Sequence, residues 1–209
     1  MGVGRLSLGK SRIEALSDGV FSIAMTLLVL KLEVPEVMHH SSNQAMLQQL
    51  LALTPAFLTY AVTFLIAGGF WYVHHLTFHL IRSVDGLLVW INLLFLMFVA
   101  LLPFSAGLMS HLLVHPVSQL FYYGNQLAIA ALLSVHWKYA RSRNLIGDSR
   151  ETLGLTQITS AATAGFAACL IIAIFLPGYS WMPLPIIVCG WLIVSLLKRR
   201  RHSRPFDNI

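Results

Sequence analysis

The polar residues of the first long apolar stretch are where this chain could do chemistry. That stretch reads RIEALSDGVFSIAMTLLVLKLEVP from Arg12. Arg12, Glu14, Ser17, Asp18 and Gly19 fall in its first two turns, and only Ser22 and Thr26 interrupt the apolar run that follows. Charges inside a membrane span are costly and tend to face protein or water. Asp18 follows Arg12 by six residues, about 9 Å along a helix. Two readings follow. Asp18 sits in the headgroup zone, where an acid near a helix N-terminus is mildly favourable. Alternatively, Arg12, Ser17 and Asp18 form a buried polar network with a neighbouring helix, and Gly19 permits close backbone approach. Histidine offers less. His75 and His79 are four apart, as are His111 and His115, which is ligand-compatible spacing on a helix, but no third ligand is nearby in sequence. No H-E-x-x-H, G-x-S-x-G or phosphate-loop string is present. Neither an enzyme nor a fixed metal site is expected, and no cofactor.

The elements that must position these residues are set by composition. The 209 residues are 57% hydrophobic and only 11% charged. A soluble domain usually carries about 25% charged residues. A helix needs roughly 20 apolar residues to cross the hydrocarbon. Stretches 12–32, 46–73, 84–109, 117–139, 152–176 and 180–198 qualify. The expected fold is therefore all-α, a polytopic membrane protein with six transmembrane helices, and residues 1–209 form a single membrane domain. With six crossings, Arg5, Lys10, Arg12, Arg82, Lys138, Arg141, Arg143, Arg150 and the 198–204 run KRRRHSR share one side, and only Lys31 falls on the other. By the positive-inside rule both termini are cytoplasmic. The +6 net charge is then a topology signal that also meets anionic lipid, rather than a nucleic-acid footprint. The first stretch is long enough to span and lacks an A-x-A-like exit, so it acts as its own insertion signal.

Smaller features follow. Cys169 and Cys189 both lie in predicted spans and read as packing residues. Ser11 with Glu14 fits a capping box for helix 1, and Asp148 with Glu151 a cap for helix 5. Pro35 ends helix 1, and Pro55, Pro103, Pro183 and Pro185 read as kinks. The longest outer loop, 33–45, carries Glu33, Glu36, His39 and His40.

The run Arg12-x-x-x-Leu16-Ser17-Asp18-Gly19, opening the first of six spans, resembles the Arg-x-x-x-Phe-Ser-Asp-Gly signature of the transmembrane protein 175 family of potassium channels. Leu16 departs from the usual phenylalanine but keeps an apolar packing role. The resemblance implies a homotetramer, as in the single-unit prokaryotic members, with helix 1 of each subunit lining a central pore in the cell (inner) membrane. It places the constriction at Ile23, with Leu27 and Leu30 following and Thr26 beside them. Geometry agrees, since i, i+4 and i+7 share a helical face. On sequence alone such a stripe reads as core or lipid-facing.

The implied function is a potassium channel, modestly selective over sodium. No TVGYG-type filter string exists; Pro177-Gly178-Tyr179 is the nearest. A ring of Ile23 side chains would set the radius and close by dewetting. Glu33 and Glu36 would raise cation concentration at the outer mouth, or belong to an ordinary solvated loop. Trp71, His74 and Asn92 are candidate partners of the Arg12, Ser17, Asp18 and Gly19 motif, with His74 expected at the cytoplasmic end of helix 2. Potassium ions and the bilayer are the expected partners, with no nucleic acid. The alternative is a proton-permeable pathway or a proton-coupled secondary transporter, in which Asp18 and the histidines relay protons.

Overall fold

Proline chemistry decides where the long apolar stretches break. The computed structural model describes residues 9–34, 42–111, 115–146 and 152–176. The expected span 180–198, Cys189, Pro35, Glu36, His39, His40, the Asp148 and Glu151 cap, the Pro177-Gly178-Tyr179 turn and the terminal basic run lie outside the described residues. The chain folds as α1 (Lys10–Val29), α2 (Asn43–Ala52), α3 (Thr54–Leu80), α4 (Gly86–Ala100), α5 (Leu102–His111), α6 (Pro116–Ser142) and α7 (Thr152–Phe175). The expected helix 2 is thus two helices. Pro55 cannot donate to the Leu51 carbonyl, and the Thr54 hydroxyl donates to that carbonyl instead, at 2.6 Å. The expected helix 3 is likewise divided, at Leu101, two residues before Pro103.

Two expectations about helix ends are corrected. α1 begins at Lys10 after Gly9 with no side-chain cap, so Ser11 lies inside the helix and the Ser11–Glu14 capping box does not form. Glu14 instead pairs with Lys10, its i−4 neighbour, at 3.7 Å. α3 continues to Leu80 rather than stopping near residue 73, so His74 lies within the helix and not at its end.

Among the described residues, α3, the α4–α5 segment from Gly86 to Ser110, and Leu153–Phe175 of α7 are long and apolar enough to cross a membrane. α1 and α6 are more polar. α1 carries Lys10, Arg12, Glu14 and Asp18. α6 buries Ser118, Gln119, Asn125, Gln126, Ser134 and His136.

α6 packs against α7, α4 and α5, and α1 lies across α3, α4 and α5. One core runs through them, including Phe21 and Leu28 of α1, Ile66 and Phe70 of α3, Phe95 and Val99 of α4, and Tyr122, Ile129 and Trp137 of α6. Cys169 of α7 is buried in the same core. The Arg82 amide donates to the Leu145 carbonyl at 2.8 Å, which ties the α3–α4 turn to the segment after α6. Asp85 strengthens that tie. It caps α4 by accepting from the Leu88 amide and accepts the Tyr139 hydroxyl at 2.6 Å.

Partial desolvation pushes the Asp85 carboxyl up, but the Tyr139 and Leu88 hydrogen bonds outweigh it and hold the group below its ordinary value. A depressed folded value gives stability that is present above the ordinary aspartate range and is lost as pH falls through the folded value. Thermal stability in detergent should therefore decline below about pH 4 in the wild type. It should decline less in Asp85→Asn, which keeps a cap but cannot titrate. Parallel pH profiles for the two proteins would remove Asp85 from the account.

Candidate functional site: the two faces of the first helix

α1 has two faces of opposite character. Ile13, Ser17, Phe21, Ala24 and Leu28 are buried, at spacings of three and four residues. On the other side Leu16, Ile23, Leu27 and Leu30 are 48%, 59%, 42% and 71% exposed, so within one subunit this aliphatic stripe stays outside the core. Thr26 lies on the exposed side, and its hydroxyl donates to the carbonyls of Ser22 and Ile23 at 3.0 and 2.9 Å. Its proton is engaged by the helix, so only oxygen lone pairs are turned outward. A Cβ built on Gly19 meets nothing within 4 Å, so no subunit-internal contact needs a glycine there. Glu33 is exposed beyond the end of the helix.

The buried face is locked by a directed chain of hydrogen bonds. The Ser17 hydroxyl donates to the Ile13 carbonyl at 2.9 Å. Its oxygen then accepts from Asn92 Nδ2 at 3.1 Å. Asn92 Oδ1 can only accept, so the His74 nitrogen 2.8 Å away is the donor and carries the proton on Nε2. The chain joins α3 and α4 to α1 with each donor and acceptor used once. Aromatic rings surround it. His74 stacks on Phe95 at 5.2 Å with planes 2° apart. Phe21 lies 5.8 Å from Phe95, and Phe78 lies 4.6 Å from His74. His136 of α6 closes the cluster, 5.9 Å from His74 and 5.1 Å from Phe78.

Asp18 behaves differently from its neighbour. It is exposed, and accepts from Trp71 Nε1 at 2.8 Å, while the Trp71 ring stacks on His75 at 5.7 Å. Arg12 is exposed and joins none of these bonds. A single buried network containing Arg12, Ser17 and Asp18 is therefore not what forms. Ser17 faces inward because it shares the Ile13 and Phe21 side, and successive residues on a helix turn by about 100°, which carries Asp18 out toward Trp71. Trp71→Phe keeps the ring but loses the donor. The expected cost is about 0.5–1 kcal/mol, at the low end because the pair is exposed. Unfolding in detergent would measure it, and the effect should vanish in an Asp18→Ala background.

His136 was missed in the sequence. Its signal is there: Gln119, Tyr122, Gln126, Ile129, Leu133, His136 and Ala140 repeat at spacings of three and four and are all buried.

An all-helical bundle with apolar spans and a first helix that is pinned on one side and bare on the other defines a multi-pass membrane protein. Comparison with known proteins is specific. The model of the family described as the endosomal/lysosomal potassium channel TMEM175 matches residues 12–103. A potassium channel of Chamaesiphon minutus is 39% identical over 134 residues, 62% of this chain and 64% of that protein. An endosomal/lysosomal proton channel TMEM175 of Gallus gallus is 36% identical over 112 residues, 49% of this chain and 22% of that protein. The crystal structure of a lysosomal potassium-selective channel TMEM175 homolog from Chamaesiphon minutus superposes with a TM-score of 0.79 at 29% identity, covering 89% of this chain and 97% of that one. Over residues 12–103, and in its fold, the chain resembles the TMEM175 family. It spans less than two thirds of the length of the curated relatives, 64% of the Chamaesiphon channel and 22% of the chicken protein.

Proposed function

We propose that this chain is one subunit of a homotetrameric, potassium-permeable channel, with α1 lining the pore and Ile23 at its constriction. The observation that carries the reading is the division of α1. Ser17 and Phe21 fix one face to the bundle while Leu16, Ile23, Leu27 and Leu30 face outward. A lone helix cannot enclose a pore, so several copies must meet on that bare face, and the family resemblance makes the number four. Six crossings with both termini in the cytoplasm of a prokaryotic cell complete the arrangement.

The mechanism follows from the residues available. A continuous helix keeps its carbonyls in its own hydrogen bonds, so backbone oxygens cannot replace hydration water as in carbonyl filters. Four Ile23 side chains set a narrow apolar ring instead. A cation sheds part of its shell to pass, and potassium gives up water at lower cost than sodium. Discrimination is modest because no ligand cage offsets the dehydration. Thr26 presents lone pairs beside the ring, and Glu33, with Glu36 beyond the described residues, concentrates cations outside. The hydrogen-bonded chain Ser17–Asn92–His74 and the Asp18–Trp71 bond hold α1 in register, and small rotations of the helix gate the ring by dewetting.

The test is potassium flux from liposomes containing purified protein, run beside sodium. Faster potassium flux under a gradient supports the reading, and no flux under any gradient rejects it.

A second reading has one observation in its favour, the name proton channel carried by the chicken relative. A proton relay inside the subunit is poorly supported. The His74–Asn92–Ser17 chain ends on a backbone carbonyl, and Ile129 and Leu133 stand between Gln126 and His136 on α6. A pH-sensitive dye trapped in the same liposomes separates the readings, since proton permeation through the pore would acidify the lumen without potassium.

A further inference from the structure

Lys31 is the one basic residue that six crossings put on the outer side, beside the mouth of the proposed pore. A ring of four ammonium groups there would repel the ions the channel must admit. The fold gives the stem that carries this charge a seat. Lys31 falls seven residues after Ala24 and three after Leu28, both buried, and its amide still donates to the Leu28 carbonyl at 3.2 Å. Just past the end of α1 it is exposed, at the border between Ala24 of the buried face and Leu27 of the bare face. The stem then lies across α5. A Cβ on Gly107 would come within 3.2 Å of Lys31 Cδ, 3.6 Å of Cγ and 3.7 Å of Cε. Three successive carbons of the stem follow the bare backbone of Gly107, and the ammonium is one bond beyond the last of them.

We propose that Gly107 is a positioning residue for conduction: by having no side chain it gives the Lys31 stem a place on α5 and so keeps four positive charges off the outer ion entrance. This rests on the channel reading with α1 at the pore. A side chain at 107 displaces the stem, and the ammonium is the end that is free to move. The snorkelling habit of lysine, stem on apolar surface and head in water, takes it toward the wet mouth.

The experiment is current through reconstituted full-length channels at about 0.1 M potassium, where the screening length is about 10 Å, and again at about 1 M, where it is about 3 Å. Gly107→Leu should lower potassium entering from the outer side roughly threefold at low salt, with most of the loss gone at high salt. Gly107→Ala should move the same way by less. Lys31→Met alone should stay near wild type, because the charge is already held aside. Lys31→Met combined with Gly107→Leu should recover wild-type current. A loss in Gly107→Leu that persists at high salt and in the Lys31→Met background would show a packing defect and overturn the proposal. So would wild-type current in both Gly107 variants, or a large gain in Lys31→Met alone. If Gly107→Leu does not assemble, Gly107→Ala with and without Lys31→Met decides by the same criteria. A wild-type protein with no current rejects the channel reading itself and this proposal with it, whereas a conducting wild type with salt-independent variants rejects only this proposal.

Discussion

Ile23→Asn should leave potassium current intact and reduce the preference for potassium over sodium by roughly fivefold, about 1 kcal/mol of lost discrimination. Ile23 is 59% exposed on the bare face of α1 and takes no part in the core, so its replacement should not unfold the subunit. In the proposed tetramer, asparagine puts four amide groups where four branched aliphatic chains stood. Those amides hydrogen-bond to hydration water, so sodium crosses with more of its shell in place. Reversal potentials with potassium on one side and sodium on the other measure the ratio directly. An unchanged ratio with normal current would leave the channel standing but put the constriction elsewhere on α1.

Asn92→Ala should destabilise the subunit strongly, because it breaks the hydrogen-bonded chain that pins α1. Asn92 is 1% exposed and serves two partners, accepting from His74 and donating to Ser17. Its loss strands the His74 N–H and removes the donor to the Ser17 oxygen, each at about 1–3 kcal/mol when buried. A small cavity adds to this. Hydrogen bonds in membrane proteins measure weaker on average, at about 0.6 kcal/mol, because the unfolded state also finds partners. A net cost of roughly 2–4 kcal/mol is the expectation. It should appear as loss of the proposed tetramer on size-exclusion chromatography or a lower unfolding temperature. Full stability in Asn92→Ala would mean that α1 is held by its aromatic contacts, Phe21 on Phe95 and His74, rather than by the hydrogen-bonded chain.

The division of labour between these two positions could not have been read from periodicity. In a soluble helix the face carrying apolar residues is the buried one. In a membrane helix both lipid and core are apolar, so the contrast that marks the inner face is erased. Residues 20–30 of α1 are nearly all apolar, and the sequence alone does not distinguish Phe21 and Leu28, which are 1% exposed, from Ile23 and Leu30, at 59% and 71%.

Other features were fixed by local chemistry and were legible. Composition and the lengths of the apolar runs follow from the solvent the chain must meet, so the membrane class was determined before any fold was known. The motif from Arg12 to Gly19 carries the family resemblance because its residue types sit at the start of the first span. Trp71, His74 and Asn92 could be named as polar residues at the right depth on neighbouring spans. Proline breaks depend on a missing N–H and are local by nature, although the Thr54 hydroxyl that satisfies the Leu51 carbonyl was not foreseen.

What only the tertiary structure decided was pairing. Whether Ser17 or Asp18 turns inward depends on the rotation of α1 against α3 and α4, which is set by how Phe21 fits among His74 and Phe95. That same rotation leaves Arg12 outside, brings Trp71 to Asp18, and seats Lys31 over Gly107. His136 enters the aromatic cluster from α6, more than sixty residues from His74 in the chain, through contacts of rings whose sequence positions carry no mutual signal. The sequence by itself determined the solvent, the spans and the residue types available at each depth. The direction in which each side chain points is a property of helices packed together, because a single apolar helix has no preferred side until a neighbour supplies one.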